Sequence, residues 1–420
     1  MSKRTHPAGN FQFSNEVRWP KGKTIFNSTK LKTHDSKLIT QDMPGIYIHV
    51  PFCESRCAYC DFYSTTLLSH RSAYVDTMCR ELQLRLPELQ GAPIETIYLG
   101  GGTPSTLTIE ELSSILTSLR NFHLSSFNFQ LAEITLEANP DDLTEEYVQG
   151  LRTLPFNRVS IGIQSFHDRT LQLVGRRHTA QEAIEAVHRC QRMGLTNISI
   201  DLMYGLPGET LDDWVYSLDQ AIALGVPHIS AYHLTYEEGT RLWRMKEQGI
   251  VSPIDEEHSI RAFELLREKL LAAGYEHYEI SNFALPGYHS RHNSSYWQGI
   301  TYIGIGPGAH SYDGTDRRWN LSSLTDYIAT PEGKDVPHEV EHLTTEERYD
   351  ERIITELRTA RGIDLTGLLA DFGERYHAHC LRCAAPYIHR GQLIRTVDNH
   401  LRLTPESIFI SDAVMRDLLY

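Results

Sequence analysis

The segment that decides the fold follows the first apolar strand and reads Pro51-Phe52-Cys53-Glu54-Ser55-Arg56-Cys57-Ala58-Tyr59-Cys60-Asp61-Phe62. Three cysteines, separated by three and then two residues, therefore lie on one loop. A structural zinc site is closed by four ligands, one more than this triplet supplies. A disulfide would use two of the thiols and leave the third over. Three thiolates on a [4Fe–4S] cube leave one iron open to a small molecule. The triplet thus favours an iron–sulfur cluster over three unrelated buried thiols.

Outward from this loop, short apolar strands alternate with amphipathic helices as far as about residue 235. The pattern predicts strands at 46–50, 95–99, 132–137, 158–163, 198–203 and 228–234, and helices near 70–86, 109–121, 145–154, 180–193 and 211–224. Thr108 with Glu111 and Thr179 with Glu182 have the spacing of capping boxes. Six strands, each followed by a helix or turn, predict an α/β fold with a parallel sheet, open or curled into a partial barrel. Cys79 and Cys190 share helix faces with apolar residues and are predicted to be core thiols.

In parallel α/β folds the functional site lies where strands end. The run Gly100-Gly101-Gly102-Thr103-Pro104-Ser105 directly follows a predicted strand, and its backbone offers close approach and free N–H groups. Glu137 ends the predicted strand 132–137, Gln164 follows strand 158–163, and Asp201 lies within strand 198–203. A single carboxylate at such a place is often a loop cap. The glycine run and these three side chains are four such features on one predicted face, and together they indicate a functional site.

Composition sets the limits on function. The chain has 420 residues, with 40 basic against 54 acidic side chains and a net charge of −14. That balance disfavours a protein that grips nucleic acid through its phosphates. No stretch approaches the roughly 18 apolar residues of a membrane span. Seven cysteines in a long chain argue against a secreted disulfide scaffold and for a cytoplasmic protein.

The first 42 residues differ from the rest. They carry eight basic and three acidic residues, a charge of +5, which leaves −19 on the remainder. The segment lacks a sustained apolar period and is predicted to be disordered or a non-native extension. At Met43 the character changes, because Pro44-Gly45 leads straight into the first strand. We predict that Met43 is the native start and that residues 1–42 are dispensable.

The triplet Cys53-x3-Cys57-x2-Cys60, with Tyr59 before the third cysteine, resembles the radical S-adenosylmethionine (radical SAM) superfamily. The resemblance implies a partial (β/α)6 barrel in which the three cysteines hold a [4Fe–4S] cluster. It also implies that the open iron binds the amino and carboxylate groups of S-adenosylmethionine, and that one electron cleaves this cofactor to a 5′-deoxyadenosyl radical.

Longer segments resemble one group of that superfamily, the oxygen-independent coproporphyrinogen III oxidases. They are residues 47–53, 100–105, 158–166 and 201–208. By this resemblance the S-adenosylmethionine residues are Tyr47, Tyr59, Gly101, Gly102, Thr103, Glu137, Gln164, Arg176 and Asp201. Whether one or two molecules bind stays open.

Within that group, the sequence is more similar to the HemW-type haem chaperone branch than to the oxidases. The oxidases carry a fourth cysteine where this chain has Phe62. The branch's His-Asn-x-x-Tyr-Trp motif matches His292-Asn293-Ser294-Ser295-Tyr296-Trp297 and makes His292 the first haem candidate, with His310 a weaker one. The resemblance implies a chaperone that passes haem to acceptor proteins, in some cases at the membrane, and that takes electrons from a reductant such as flavodoxin or ferredoxin. The alternative is an oxidase that decarboxylates coproporphyrinogen III; we expect that activity to be absent.

The remaining chain is assigned by position. Residues 43–285 form the predicted radical SAM core, 286–335 a segment that closes it, and 336–420 a C-terminal helical, winged-helix-like region with a hairpin at 393–397 and 401–403. His377, His379, Cys380 and Cys383 place soft ligands on one predicted helix. A metal or redox site is one interpretation of that cluster, and chance clustering on a helix is the favoured one.

Overall fold

The computed structural model describes residues 43–122 and 132–420. Its centre is a sheet of six consecutive parallel strands, as predicted. The strands are β1 (Gly45–Val50), β2 (Thr96–Gly101), β3 (Glu133–Ala138), β4 (Arg158–Gln164), β5 (Ile198–Tyr204) and β6 (His228–His233). The connecting helices are α1 (Arg71–Arg85), α2 (Ile109–Phe122), α3 (Glu145–Leu151), α4 (Asp168–Leu173), α5 (Ala180–Arg192) and α6 (Leu211–Ala223). The predicted N-terminal extension, residues 1–42, lies outside the described residues.

Local sequence explains these elements. Residues of β1 to β6 are mostly buried, because helices cover a parallel sheet and its strands are therefore apolar on both faces. The predicted capping box forms at the start of α5, where Thr179 and Glu182 satisfy each other's backbone N–H groups. The same exchange joins Thr108 and Glu111 before α2. Cys190 is fully buried in the main apolar core, and the partly buried Cys79 packs against that core.

The sheet is wider than predicted. Helices α7 (Arg241–Glu247) and α8 (Glu256–Ala272) lead to β7 (Glu276–Glu279) and β8 (Asn282–Ala284), and β8 pairs antiparallel with β6. After α9 (Arg291–Trp297), the other side is extended by β9 (Tyr302–Ile305), β10 (His310–Tyr312), β11 (Asp316–Asn320) and, beyond α10 (Leu324–Ile328), β12 (His338–His342). The order β12-β11-β10-β9-β1-β2-β3-β4-β5-β6-β8-β7 makes one open sheet of twelve strands among the described residues.

A smaller C-terminal unit has its own apolar core. It contains α11 (Thr345–Leu357), β13 (Ile363–Asp364), α12 (Leu365–Phe372), α13 (Glu374–His389), β14 (Leu393–Arg395), β15 (His400–Leu403) and α14 (Ser411–Leu418). The predicted hairpin is the antiparallel pair β14–β15. Residues 338–342, which we assigned to this unit, pair instead with β11 of the main sheet. No helix in the described part of the chain is long and apolar enough to cross a membrane.

Candidate functional site

The cysteine loop joins β1 to α1 and is held by backbone hydrogen bonds from three directions. The Cys53 N–H donates to the Thr65 carbonyl at 2.9 Å, within the loop itself. The Ala58 N–H donates to the Val174 carbonyl at 2.8 Å, and the Ala58 carbonyl accepts from Leu242 N–H at 2.7 Å. The loop therefore takes its shape from the segments that follow α4 and β6, as well as from its own sequence.

The three thiols face a cavity of about 320 Å³ at the carboxyl ends of β1 to β6, which we call the cysteine cavity. This is the edge of the sheet at which the site was predicted. Eight of the nine predicted S-adenosylmethionine residues line it: Tyr59, Gly101, Gly102, Thr103, Glu137, Gln164, Arg176 and Asp201. The ninth, Tyr47, does not.

Burial controls the chemistry of the thiols. It raises the pKa of Cys53 and raises the pKa of Cys60 to about 11, so both are protonated at neutral pH until a cation compensates the thiolates. Thr103 Oγ1 donates to Cys53 Sγ, and Arg176 Nη1 to Cys57 Sγ, both at 3.4 Å. No three His, Cys, Asp or Glu side chains in the described residues converge on a single metal ion. Thiols spread around one cavity fit a multi-iron cluster instead, because each iron takes its own thiolate.

Two carboxylates line the same cavity as the cysteines. Glu137, in β3, accepts hydrogen bonds from Tyr98 Oη at 2.7 Å and from Gly101 N–H at 3.2 Å. Burial, reinforced by the nearby charge of Asp201, still raises the pKa of Glu137 to about 7. Burial likewise raises the pKa of Asp201 to about 6, although Ser160 Oγ lies 3.4 Å from its carboxylate. A cationic ligand group would stabilise both charges.

Arg176 lies beside the acids and links several strand ends. It donates to Asn139 Oδ1 at 2.7 Å and to the Gly162 carbonyl. Gln164 ends β4 at a register shift with φ of 71°, a left-handed conformation that a non-glycine residue adopts only under constraint. Sequence reasoning missed Asn139, although its position two residues after Glu137 at the end of β3 was the signal that could have found it.

The glycine run packs strand ends together. A Cβ atom on Gly102 would lie 2.8 Å from backbone atoms of Val50, Pro51 and Phe52, so only glycine lets β2 approach the start of the cysteine loop. Gly101 has φ of 106° and lies against the His49 ring. The run thus shapes the wall of the cavity as well as lining it.

A second and larger cavity of about 890 Å³ lies between β9–β11 and the C-terminal unit, and we call it the aromatic cavity. Its eight aromatic side chains are Tyr47, Phe62, Tyr63, Tyr296, Trp297, Tyr302, Tyr312 and Phe372. His49 and His310 also line it, whereas Asp61 and Phe62 line both cavities. The two cavities therefore adjoin at the end of the cysteine loop.

His292 lines neither cavity. Its ring is buried, and both nitrogens are engaged: Nδ1 with Thr96 Oγ1 and Nε2 with Tyr296 Oη, each at 2.7 Å. The ring stacks on Tyr98 with centroids 5.0 Å apart and lies behind Tyr47. Of the predicted haem motif, it is Tyr296 and Trp297 that face the aromatic cavity.

Helix α13 carries the predicted C-terminal cluster of soft ligands and separates their side chains. Cys380 is fully buried in the C-terminal core, and His379 Nε2 is occupied by the Leu419 carbonyl at 2.8 Å. Cys383 Sγ lies 3.6 Å from His379 Nε2, with no third ligand among the described residues. This geometry favours the interpretation as chance clustering.

Comparison with known proteins gives one match within the core and others over most of the chain. The sequence profile of the radical SAM superfamily matches residues 47–221. The "Heme chaperone HemW" of Mycobacterium tuberculosis (strain CDC 1551 / Oshkosh) is 36% identical over 380 residues, which cover 89% of this chain and 94% of that protein. The protein of the same name from Bacillus subtilis (strain 168) is 34% identical over 84% of this chain and 97% of its own. The solved structure of coproporphyrinogen III oxidase (HemN) from Escherichia coli superposes with a TM-score of 0.77 at 21% identity, over 90% of each chain, and so shares the fold.

Proposed function

The chain belongs to the HemW family of heme chaperones within the radical SAM superfamily, and on that basis we propose that it binds haem and transfers it to acceptor proteins. The observation that carries the proposal is the extent of the likeness, which covers 94% of the Mycobacterium tuberculosis relative. At 89% of this chain, it therefore includes the cysteine loop, the segment around the His-Asn motif and at least the first helices of the C-terminal unit.

We assign the cofactors to the cysteine cavity. Cys53, Cys57 and Cys60 would hold the [4Fe–4S] cluster, and the eight lining residues named above would hold S-adenosylmethionine. When bound, the cluster supplies an open iron and a route for one electron. Arg176 would pair with the methionine carboxylate, and Glu137 and Asp201 would face cationic or hydroxyl groups. Tyr47 would act on the cofactor indirectly, because it stacks on Tyr98, the hydrogen-bond donor to Glu137.

The proposal includes the protein's partners and compartment. A one-electron donor such as flavodoxin or ferredoxin would reduce the cluster, and haem-accepting proteins, including membrane-bound ones, would receive the haem. We propose a cytoplasmic location, because none of the seven cysteines, all among the described residues, is in a disulfide and reducing compartments preserve thiols. The net charge of −14 fits the absence of a nucleic-acid partner.

Haem transfer tests this function directly. Anaerobically reconstituted full-length protein is loaded with haem, freed of excess, and mixed with apomyoglobin as a probe acceptor. We expect a stoichiometric haem complex whose Soret band is replaced by that of myoglobin. A protein that binds no haem, or that never releases it, would end the proposal.

The same sample distinguishes the oxidase. Incubation with S-adenosylmethionine, dithionite and coproporphyrinogen III should yield no protoporphyrinogen IX, because Phe62 occupies the position of the oxidases' fourth cysteine. Steady formation of the decarboxylated product would replace the chaperone assignment with an enzymatic one.

A further inference from the structure

The aromatic cavity is the larger of the two spaces, and its walls come from four parts of the fold. Strands β9, β10 and β11 form one side, where Tyr302 pairs with Tyr312 and Tyr312 with Arg317. Helix α11 faces them with Arg348, Glu351, Arg352 and Thr355, which at spacings of three and four residues share one helical face. The cysteine loop together with β1, and the end of α9 together with the end of α12, close the remainder.

Size and lining suit a flat ligand that has both apolar faces and charged groups, because aromatic rings and charged side chains line the cavity together. At about 890 Å³ the cavity lies near the top of the range of about 300–1,000 Å³ that small-molecule pockets occupy. The cysteine cavity, at about 320 Å³, is taken up by the cluster and S-adenosylmethionine on the proposed assignment. A porphyrin face packs against aromatic rings in the same way that those rings pack against each other.

Three histidines lie in or next to this cavity, and they differ in their hydrogen bonds. His49 is engaged at both nitrogens, with Tyr47 Oη at 3.2 Å and the Tyr63 carbonyl at 3.0 Å. His292 is engaged at both nitrogens as well. His310 differs, since neither ring nitrogen has a hydrogen-bond partner among the described residues: Nδ1 is fully buried, whereas Nε2 is not and is the nitrogen that can face the cavity. The ring stacks on Trp319 with 5.9 Å between centroids. Burial lowers the pKa of His310 to about 4, so the ring is neutral and keeps a lone pair for iron.

The arginines of the cavity also differ in whether a carboxylate of the protein pairs with them. Arg317 forms a bidentate pair with Glu351 at 2.5 and 2.9 Å, and Arg352 pairs with Glu356 and Asp371. Among the described residues, Arg348 has no carboxylate within ion-pair distance; its Nη2 donates to Thr345 Oγ1 at 3.5 Å, and its Nε is buried without a partner. A ligand carboxylate would satisfy that guanidinium.

We infer that haem, whose delivery is the proposed function on which this inference rests, binds in the aromatic cavity with His310 as its iron ligand and Arg348 on a propionate. His292 is then a positioning residue: its hydrogen bond to Tyr296 Oη holds one aromatic wall, and its ring supports Tyr47. The His-Asn motif would thus act on haem through Tyr296 and Trp297.

Ligand replacement tests the assignment. Haem is titrated into cluster-loaded full-length protein and into variants, and the optical and electron paramagnetic resonance spectra are recorded. His310→Ala should weaken haem binding about tenfold or more and lose the histidine-ligated spectrum, with recovery on addition of imidazole. His310→Cys should convert the spectrum to the thiolate-ligated type, a gain that misfolding cannot produce. His292→Ala should weaken binding but keep the histidine-ligated spectrum.

Haem dimethyl ester separates the role of Arg348 from a general loss of structure. Arg348→Ala should weaken the affinity for haem and leave the affinity for the ester unchanged. His342→Ala, at a histidine that is 82% exposed, is the matched control and should behave as wild type. The inference is overturned if the His310 variants keep the native spectrum while His292→Ala loses it. If the wild-type protein binds no haem at all, the proposed function fails first.

Discussion

The cysteine cavity and the aromatic cavity adjoin but are built in different ways. The cysteine cavity takes its residues from the ends of consecutive parallel strands and the loops that follow them, between residues 53 and 237, and it contains half-buried acids, a half-buried arginine and thiols. The aromatic cavity draws on residues from Tyr47 to Phe372, including a helix of the C-terminal unit, and combines aromatic rings with charged side chains. Only Asp61 and Phe62 line both cavities.

This difference indicates two binding functions that share a wall. The first cavity fits charged cofactors and the second a large flat ligand, so each should tolerate damage to the other. The predictions below test that independence.

The largest effect is expected from loss of one cluster ligand. Cys57→Ala removes a third of the thiolates and should abolish the [4Fe–4S] cluster, because two thiolates rarely retain a cube. Iron and sulfide analysis after anaerobic reconstitution measures this. Haem affinity, from Soret titration of the same sample, should stay within about twofold of wild type if the cavities are independent.

Cys79→Ala is the matched control, since it removes a partly buried thiol from α1 that faces neither cavity. It should load the cluster normally. Loss of haem binding in Cys57→Ala, with normal binding in the control, would show that the aromatic cavity depends on the cluster.

A smaller effect is expected on the aromatic side from Gly304→Ala. A Cβ atom on Gly304 would lie 1.9 Å from the His310 carbonyl oxygen, so β9 and β10 must move apart. We expect a loss of about 3 kcal/mol in the free energy of unfolding, measured by urea denaturation, because the clash is with backbone. Haem affinity should fall with it, whereas cluster loading should survive under native conditions.

Gly333→Ala is the comparison variant. Gly333 has φ of 72° but no atom within 4 Å of an added Cβ, so the cost should stay near 1 kcal/mol, the strain of a left-handed alanine. Equal losses in the two variants would mean that the approach of Gly304 to His310 is unimportant.

The same contrast explains what the sequence could predict. The six strands and the helices between them follow from periodicity, and strand ends place Glu137, Gln164 and Asp201 on one edge with the cysteine loop. The sequence carries that information locally, because Gln164 ends β4, Glu137 is the last but one residue of β3, and Asp201 lies within β5. Eight of the nine predicted cofactor residues consequently line one cavity.

The aromatic cavity depends on packing that no short motif records. Tyr47 and His49 alternate with Ile46 and Ile48 in β1 and so share a face, but the cavity which that face meets is set by β9 to β11. In the sequence, Arg348 cannot be distinguished from other basic residues on an amphipathic helix. Its place in the cavity is visible only in the structure, where α11 lies against Tyr302 and Arg317. For the same reason, the motif identifies His292 in the sequence, but the sequence does not show that its ring is buried behind Tyr296.

The smallest effect, and the finest test of the comparison, is the response to pH. With its pKa near 7, Glu137 is mostly ionised at pH 8 and mostly protonated at pH 6. If its carboxylate binds a cationic group of S-adenosylmethionine, affinity should fall about tenfold as the pH drops from 8 to 6. Burial lowers the pKa of His49 and of His310 to about 4, so both stay neutral over this interval, and haem affinity should not change.

Isothermal titration of cluster-loaded protein at pH 6, 7 and 8 measures the first dependence, and Soret titration measures the second. In Glu137→Gln, binding of S-adenosylmethionine should be weak at every pH, and its affinity should depend less steeply on pH. A residual slope near pH 6 is expected there, because Asp201, with its pKa near 6, still titrates. A parallel fall of haem affinity in the wild type would mean that a group titrating near neutrality also serves the aromatic cavity, and the two sites could no longer be treated as separate.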